Sequence, residues 1–362
     1  MTGQHRIVVL GAGYAGLAAA GRLASKARGA RITVVDARTD FVERVRLHQQ
    51  AAGQQISSWS LRELLDSKKI HFVRARATEI DTASKRVLLD TATVLDYDTL
   101  VYALGSTADR ASVPGLAEHA YSVSTPEDAG RFEAPSGTVL VVGAGATGIE
   151  LAAELAESRP DSRVCLLSPE EPGAWLSPRA WKHIRRVLER LGVEIRSDAK
   201  VLEVTAAGVR LADGTLIEAA ATVWTAGFAV PDLARRSGLS VDGTGRVLVD
   251  AALRSISHPD VYAAGDSAVI AGPGGRDLRM ACATALPTGK YAADAIAARL
   301  RGAEPGKLRF RYVVQCLSLG RRDGLIQVLH ADDSPARTVL TGRPAAWVKE
   351  QVVRGAGWAA RR

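Results

Sequence analysis

Cysteine is scarce and scattered in this chain. Of 362 residues only three are cysteines, Cys165, Cys282 and Cys316, and no two stand in a CxxC or CxxxxC pair. That spacing excludes a disulfide framework, a sequence-local redox disulfide and a zinc knuckle, and leaves packed thiols and no metal site. No apolar run reaches the ~20 residues that a bilayer-spanning helix needs. The opening Met1-Thr2-Gly3-Gln4-His5-Arg6 is followed by no cleavable small-residue site, so no secretory signal is read and a cytoplasmic protein is expected. Interleaved aromatics are missing around the doublets Arg185-Arg186, Arg235-Arg236, Arg321-Arg322 and Arg361-Arg362. The formal charge of +8 therefore points away from nucleic acid, toward solvated helix faces and attraction of anionic nucleotides. With 47% apolar and 24% charged residues, the composition is that of a globular protein with room for two or three domains.

What the chain does have is glycine in a particular setting. The apolar run Ile7–Leu10 breaks into Gly11-Ala12-Gly13-Tyr14-Ala15-Gly16, and an Ala/Leu-rich helical segment follows through Leu23. A β-branched run, Ile32–Val35, then ends on Asp36-Ala37. This is strand, glycine turn, helix and strand: a βαβ unit with an acid closing its second strand. Gly11 permits the tight turn, Gly13 lets backbone N–H groups approach a pyrophosphate, and Gly16 lets helix and strand pack closely. Asp36 is placed to accept hydrogen bonds from an adenosine ribose.

The pattern returns after Pro114-Gly115 and the polar segment Ser122–Pro135. Val139–Val142 precedes Gly143-Ala144-Gly145-Ala146-Thr147-Gly148 and the helix Ile149–Glu157, with all three glycines displaced by one constant offset. A whole structural unit is therefore repeated, and two dinucleotide sites are expected. In the second unit the strand Arg163–Leu167 ends on Ser168, so the acid is missing there. The closing strands Tyr97–Ser106 and Ala221–Gly227 end on Gly105 and Gly227, each assigned to its own nucleotide site. Between the first unit and its closing strand, the charged stretch Thr39–His48 reads equally as a lining of the first site, with Arg46 as its contact, or as the start of a surface helix.

Further on, the strand before Gly265-Asp266 places a carboxylate at a strand's C-terminal edge, where open α/β sheets bind ligands. The loop Gly272-Pro273-Gly274-Gly275 leads to an alanine-rich helix, Thr288–Leu300. From Leu308 the character changes to strand-like Phe310–Leu319 and Gly324–Leu329, with a last helix from Ala345. The expected fold is α/β, with two Rossmann-like domains and a small C-terminal α+β domain. The expected boundaries are 1–112 with 246–305, then 113–245, then 306–362.

Taken together these motifs resemble the flavoproteins with two dinucleotide-binding domains, the large group related to glutathione reductase, over nearly the whole chain. Within it the chain is most similar to type II NADH dehydrogenases and apoptosis-inducing-factor-like oxidoreductases, on Tyr97–Ser106, on Gly145–Leu155 and on the lack of a dithiol. The resemblance implies that Gly11, Gly13, Tyr14, Ala15, Gly16, Asp36 and Ala37 hold the ADP half of a non-covalent FAD. It implies that Gly265-Asp266 holds the ribitol and pyrophosphate, and that Gly143, Gly145 and Gly148, with Ser168, hold NAD(P)H. Glu150 stands where related enzymes have a glutamate facing flavin and nicotinamide; on its own it also reads as a carboxylate favoured by the helix dipole.

The implied chemistry is hydride transfer from nicotinamide C4 to flavin N5, with the helix Thr288–Leu300 aimed at the flavin N1/O2 edge. Type II NADH dehydrogenases carry paired glutamines in the stretch that here reads Met280–Tyr291, and both are absent. A pocket wall of Ala283, Thr284, Leu286, Pro287 and Thr288 with only hydroxyl donors is expected instead, with weak quinone turnover. Three readings stay open: an NAD(P)H:acceptor oxidoreductase using a quinone or similar acceptor, a flavin enzyme acting on an organic substrate, and a redox-sensing flavoprotein. Serine at 168 predicts tolerance of NADPH without strong preference. On the terminal helix Val348, Val352 and Ala359 share a face with Trp358 at its edge, among Arg343, Lys349, Arg354, Arg361 and Arg362. That face suits the inner face of the cell membrane, docking on its own domain, or a second subunit of a homodimer.

Overall fold

The computed structural model describes residues 4–362; Met1–Gly3, the head of the stretch read as lacking a secretory signal, lie outside the described residues. The run Ile7–Leu10 forms the middle of a five-stranded parallel sheet in the order Val261–Ala263, Thr99–Tyr102, Arg6–Leu10, Arg31–Asp36, His71–Arg74. Such a strand is covered on both faces, which is why its apolar residues run without alternation and Ile7, Val9 and Leu10 are fully buried.

The second glycine unit builds the same sheet again, in the order Ala120–Ser122, Ala221–Trp224, Gly137–Val142, Ser162–Leu167, Glu194–Arg196, all parallel. Even the register repeats: Ile7 pairs with Ile32 as Val139 pairs with Val164. Each unit also carries a three-stranded antiparallel meander, spanning Ala77–Asp96 in the first and Val201–Glu218 in the second. The two units are tied by the short strands Thr107–Ala108 and Phe228–Ala229, which pair with each other just after Gly105 and Gly227. Both glycines have positive φ, +68° and +76°.

Three boundaries differ from the expectation. The alanine-rich helix runs Cys282–Leu300, so it begins before Thr288 and holds Pro287 inside it. Proline in a helix interior is costly, but here tertiary packing fixes the turn: a Cβ on Gly289 would run into the Ala15 carbonyl, and Thr288 donates to Thr284 O at 2.8 Å. The expected strand Phe310–Leu319 shrinks to Val314–Ser318, because Phe310 and Tyr312, edge to face at 4.9 Å, pack on the first unit's core instead of joining a ladder. An additional edge strand, Pro335–Thr341, was not read; only its Val339 is buried, so it offers no alternating pattern.

The terminal helix, Arg343–Arg361, docks on its own chain through Ala345, Val353, Gly357 and Ala360, packing on Gly324–Leu329 and on the first glycine helix, Tyr14–Lys26. Of the stripe read from the sequence, Val352 at 44% and Trp358 at 54% exposure face outward beside Trp347 at 66%, while Val348 and Ala359 are half-buried. Arg361 stacks over Trp59 at 3.7 Å and Lys68 donates to Arg361 O at 2.6 Å, pinning the helix end to the first unit. Among the described residues no helix is long and apolar enough to cross a membrane.

Candidate active site

At each strand–helix turn, glycine is demanded by geometry. A Cβ on Gly16 would strike the Gly11 carbonyl oxygen, and one on Gly148 would strike that of Gly143. Gly13 and Gly145 stand as the N-caps of their helices with open space around them and bring no capping side chain, so first-turn N–H groups stay available to an anion. Asp36 accepts from Ala12 N at 2.7 Å and Arg38 N at 2.9 Å, which folds Ala37 around the first turn. Tyr14 is buried edge-on against Phe41 and Ala15 lies under Gly289. These are features that fit a dinucleotide at each turn.

In the second unit Ser168 is buried and its hydroxyl accepts from Glu170 N at 3.3 Å. Glu171 is held by Arg185 at 2.9 Å and Ser197 at 2.8 Å. The serine therefore leaves no carboxylate of its own at the strand end.

Asp266 lies in a polar knot that the sequence showed only in part. Ser106 donates to it at 2.7 Å, and Arg44 reaches it at 3.4 Å and Ser106 at 3.2 Å. Gly265 N donates to Thr288 Oγ1 at 3.2 Å, which ties the knot to the helix Cys282–Leu300. The arginine facing this carboxylate is thus Arg44. Arg46, the residue expected at the first nucleotide site, points the other way: its guanidinium is held by Glu43 at 3.0 Å and Glu350 at 2.8 Å and braces the terminal helix. The two alternate across one turn of 3-10 helix, Arg44–Arg46, and a linear reading cannot choose between them.

Glu150 is buried where four elements meet. Its Oε1 accepts from Ser318 N at 2.9 Å and pairs with Lys349 Nζ at 2.9 Å, and its Oε2 is 3.9 Å from His48 Nδ1. Lys349 also reaches the Cys316 carbonyl at 3.3 Å. The second glycine helix, Ala146–Ser158, supplies the acid, the terminal helix the base, the strand Val314–Ser318 an amide and the helix Leu47–Ala51 the imidazole.

Burial alone would raise the Glu150 carboxyl, but Lys349, His48 and the Ser318 amide outweigh it and hold it below the usual carboxylate range. Burial works against charge on Lys349 as well, and Glu150 overcomes it and holds the ammonium above its ordinary value. His48 is pushed down to about 4, mainly by burial, so it is neutral at pH 7. Burial also pushes the Cys282 thiol up, with Lys349 acting against it and Asp266 and Glu150 adding to it. Cys316 rises to about 11 and Cys165 to about 12, again through burial, which disfavours the reactive thiolate at both.

Sequence reading missed Lys349, His48 and Ser318. A signal for Lys349 was there: it lies on the stripe Ala345, Val353, Gly357, a lysine among small residues at i−4, i+4 and i+8 of a helix.

The sequence profile of the family described as pyridine nucleotide-disulphide oxidoreductase matches residues 5–289. The chain belongs to that family. An NADH dehydrogenase-like protein of Mycobacterium tuberculosis is 30% identical over 96% of this chain and 92% of its own. A type II NADH:quinone oxidoreductase of Staphylococcus epidermidis is 28% identical over 96% and 94%. Among solved structures, NDH2 from Plasmodium falciparum in complex with NADH superposes with a TM-score of 0.85 over 99% of this chain and 96% of that one; at 14% identity this is a likeness of fold. The resemblance read from the motifs holds, and the two-Rossmann fold with it. The protein is an NAD(P)H-dependent flavin oxidoreductase that uses FAD and NADH and passes electrons to a small acceptor.

Proposed function

We propose that the chain oxidises NADH and reduces a small quinone-like acceptor, with Gly11–Gly16, Asp36, Ala37 and Gly105 around the ADP half of FAD, and Arg44 and Asp266 at its pyrophosphate and ribitol. Gly143–Gly148, Ser168 and Gly227 take the nicotinamide nucleotide. The residues 1–112 and 246–305 then form the flavin domain, 113–245 the nucleotide domain and 306–362 the remainder. FAD held by these residues would supply the redox chemistry, as hydride acceptor toward the nicotinamide and electron donor toward the acceptor. The single observation that carries the reading is the Glu150–Lys349 pair, a largely buried acid–base pair at 2.9 Å on the second glycine helix and the terminal helix. Glu150 takes the role of proton relay to the acceptor, its carboxylate taking up a proton only during turnover, and Lys349 keeps that carboxylate charged between turnovers.

The acceptor wall limits which molecule fits. The two hydroxyls expected there as donors are already engaged: Thr284 donates to Arg279 O and Ala281 O, both at 2.7 Å, and Thr288 to Thr284 O at 2.8 Å. A quinone carbonyl buried against them loses its partners, at a cost of ~1–3 kcal/mol each. Quinone turnover is therefore expected to be weak and comparable to that with artificial dyes. Steady-state assays with a long-chain quinone check this, and a kcat/KM near ~10⁶ M⁻¹s⁻¹ would sink it. The same wall favours a second reading, a less polar organic substrate reduced at the same place.

The outward stripe Trp347, Val352 and Trp358, flanked by Arg343, Arg354 and Arg362, supports contact with an anionic membrane from the cytoplasmic side. Trp347→Ser with Trp358→Ser should abolish co-sedimentation with anionic vesicles. Equal pelleting of variant and parent removes this stripe as the anchor and leaves a second subunit as its partner.

A further inference from the structure

Glu154 is fully buried, four residues beyond Glu150 on the second glycine helix. Glu150, Glu154 and Glu157 follow one another on a single face, about 5–6 Å apart at their Cβ atoms. Opposite them the segment Ser318–Arg321 runs along the helix: Ser318 N bonds Glu150, and Arg321 N bonds Glu157. Glu157 and Arg321 are exposed, so this file of carboxyls begins at the surface and ends at the buried acid–base pair.

Glu154 Oε1 accepts from Gln54 Nε2 and lies 3.9 Å from Arg321 Nε, while its Oε2 has no hydrogen-bond partner among the described residues. Glu150 and Glu157 lie beside it on its own helix, and beyond Glu150 stands Lys349. His48, on the helix Leu47–Ala51 packed against this one, has a buried Nε2 without a hydrogen-bond partner among the described residues. An ionised carboxylate with one neutral donor and one half-exposed arginine is expensive to bury, and the protonated acid is the cheaper state. Burial accordingly holds this carboxyl above its ordinary range.

We propose that Glu154 is the internal proton carrier of the reaction, taking a proton from solvent at the Glu157–Arg321 mouth and handing it to Glu150. The inference rests on the oxidoreductase reading. NADH yields two electrons and one proton as hydride, whereas a two-electron organic acceptor takes up two protons. The second proton leaves the Glu154 carboxyl for the Glu150 carboxylate and passes to the acceptor, and solvent reprotonates Glu154. Only O–H bonds are exchanged along the file.

The test is anaerobic stopped-flow of the FAD-loaded protein, its E154Q variant and its E154D variant, with each half-reaction read separately. E154Q should be reduced by NADH as fast as the parent, and its reoxidation by 2-methyl-1,4-naphthoquinone should slow by ~10²-fold, the lower end of what a placed proton donor contributes. Ferricyanide, which takes electrons without protons, should reoxidise both alike, and E154D should restore the quinone step. A merely structural glutamate would slow both acceptors together or neither, and either result overturns the proposal. Infrared spectra of the apoprotein at pH 7 add a readout without flavin: a protonated-carboxyl band should be present and vanish in E154Q, and its survival contradicts the assignment. Should E154Q not fold, Arg321→Ala decides. Losing that cation should move the pH profile of quinone reoxidation upward, and an unmoved profile overturns the carrier. Failure of NADH to bleach the parent would sink the oxidoreductase reading and the carrier with it, while equal parent and E154Q quinone rates sink the carrier alone.

Discussion

Lys349→Met should destabilise the protein by about 3–5 kcal/mol, the usual cost of removing one partner of a buried ion pair. Methionine fills much of the same space but leaves the Glu150 carboxylate with the Ser318 amide and a neutral imidazole. The double variant Glu150→Gln with Lys349→Met should recover most of the loss, because no charge is then stranded. Urea unfolding of the three variants measures this, and a single-variant loss under ~1 kcal/mol, the range of exposed pairs, contradicts it. The sign against pH follows from the two shifts. Glu150, lowered in the fold, stabilises above its unfolded value of 4.5, and that contribution is lost as pH falls through its folded value. Lys349, raised in the fold, stabilises below 10.5, and its contribution is lost as pH rises through its folded value. The variant should therefore flatten the stability profile at both ends. It should also loosen the terminal helix, which keeps Arg46–Glu350, the Arg361–Trp59 stack and the Lys68–Arg361 O bond as struts.

Gly148→Val should slow flavin reduction by NADH about 100-fold or more, equivalent to about 2.7 kcal/mol, while leaving FAD in place. Valine's Cβ would meet the Gly143 carbonyl and lie 2.7 Å from Thr225 Oγ1, whose hydroxyl bonds both Val142 O and Gly143 O at 2.9 Å. The second turn must open to admit it, and the approach of backbone N–H groups to the nicotinamide nucleotide's phosphates goes with it. The first turn belongs to another sheet and has no part in the clash. Flavin content and reduction by dithionite should then match the parent. An unchanged KM for NADH would remove the second motif from nucleotide binding.

The glycine units were legible because their demands are local. A turn that brings Gly16 onto Gly11, or Gly148 onto Gly143, can be met only by glycine, and strand and helix signals on either side are contiguous in sequence. The place of Asp266 was legible for the same reason, since it follows close on its strand Val261–Ala263, whereas its partners Ser106 and Arg44 come from elsewhere. What lay hidden depends on elements far apart in the chain. Glu150 draws Lys349 from the terminal helix and Ser318 from a late strand, and no spacing rule connects them. On the terminal helix only one of two stripes was read. The bulky one, with Val352 and Trp358, stays outward, and a second stripe of Ala345, Val353, Gly357 and Ala360 docks on the chain. Burial went to this second stripe because the helix lies on the strand Gly324–Leu329, with Ala345 and Ala346 against Gly324, and on the first glycine helix. Arg44 and Arg46 were indistinguishable in type and separated only by which way one 3-10 turn faces.

The most direct test of the account is an anaerobic titration of the FAD-loaded protein with NADH, followed at the flavin's visible band. If two nucleotide sites face one another across the junction, one equivalent of NADH per chain should bleach the band rapidly, and an added acceptor should restore it. A flavin that dithionite bleaches but NADH leaves oxidised would contradict the account at its centre.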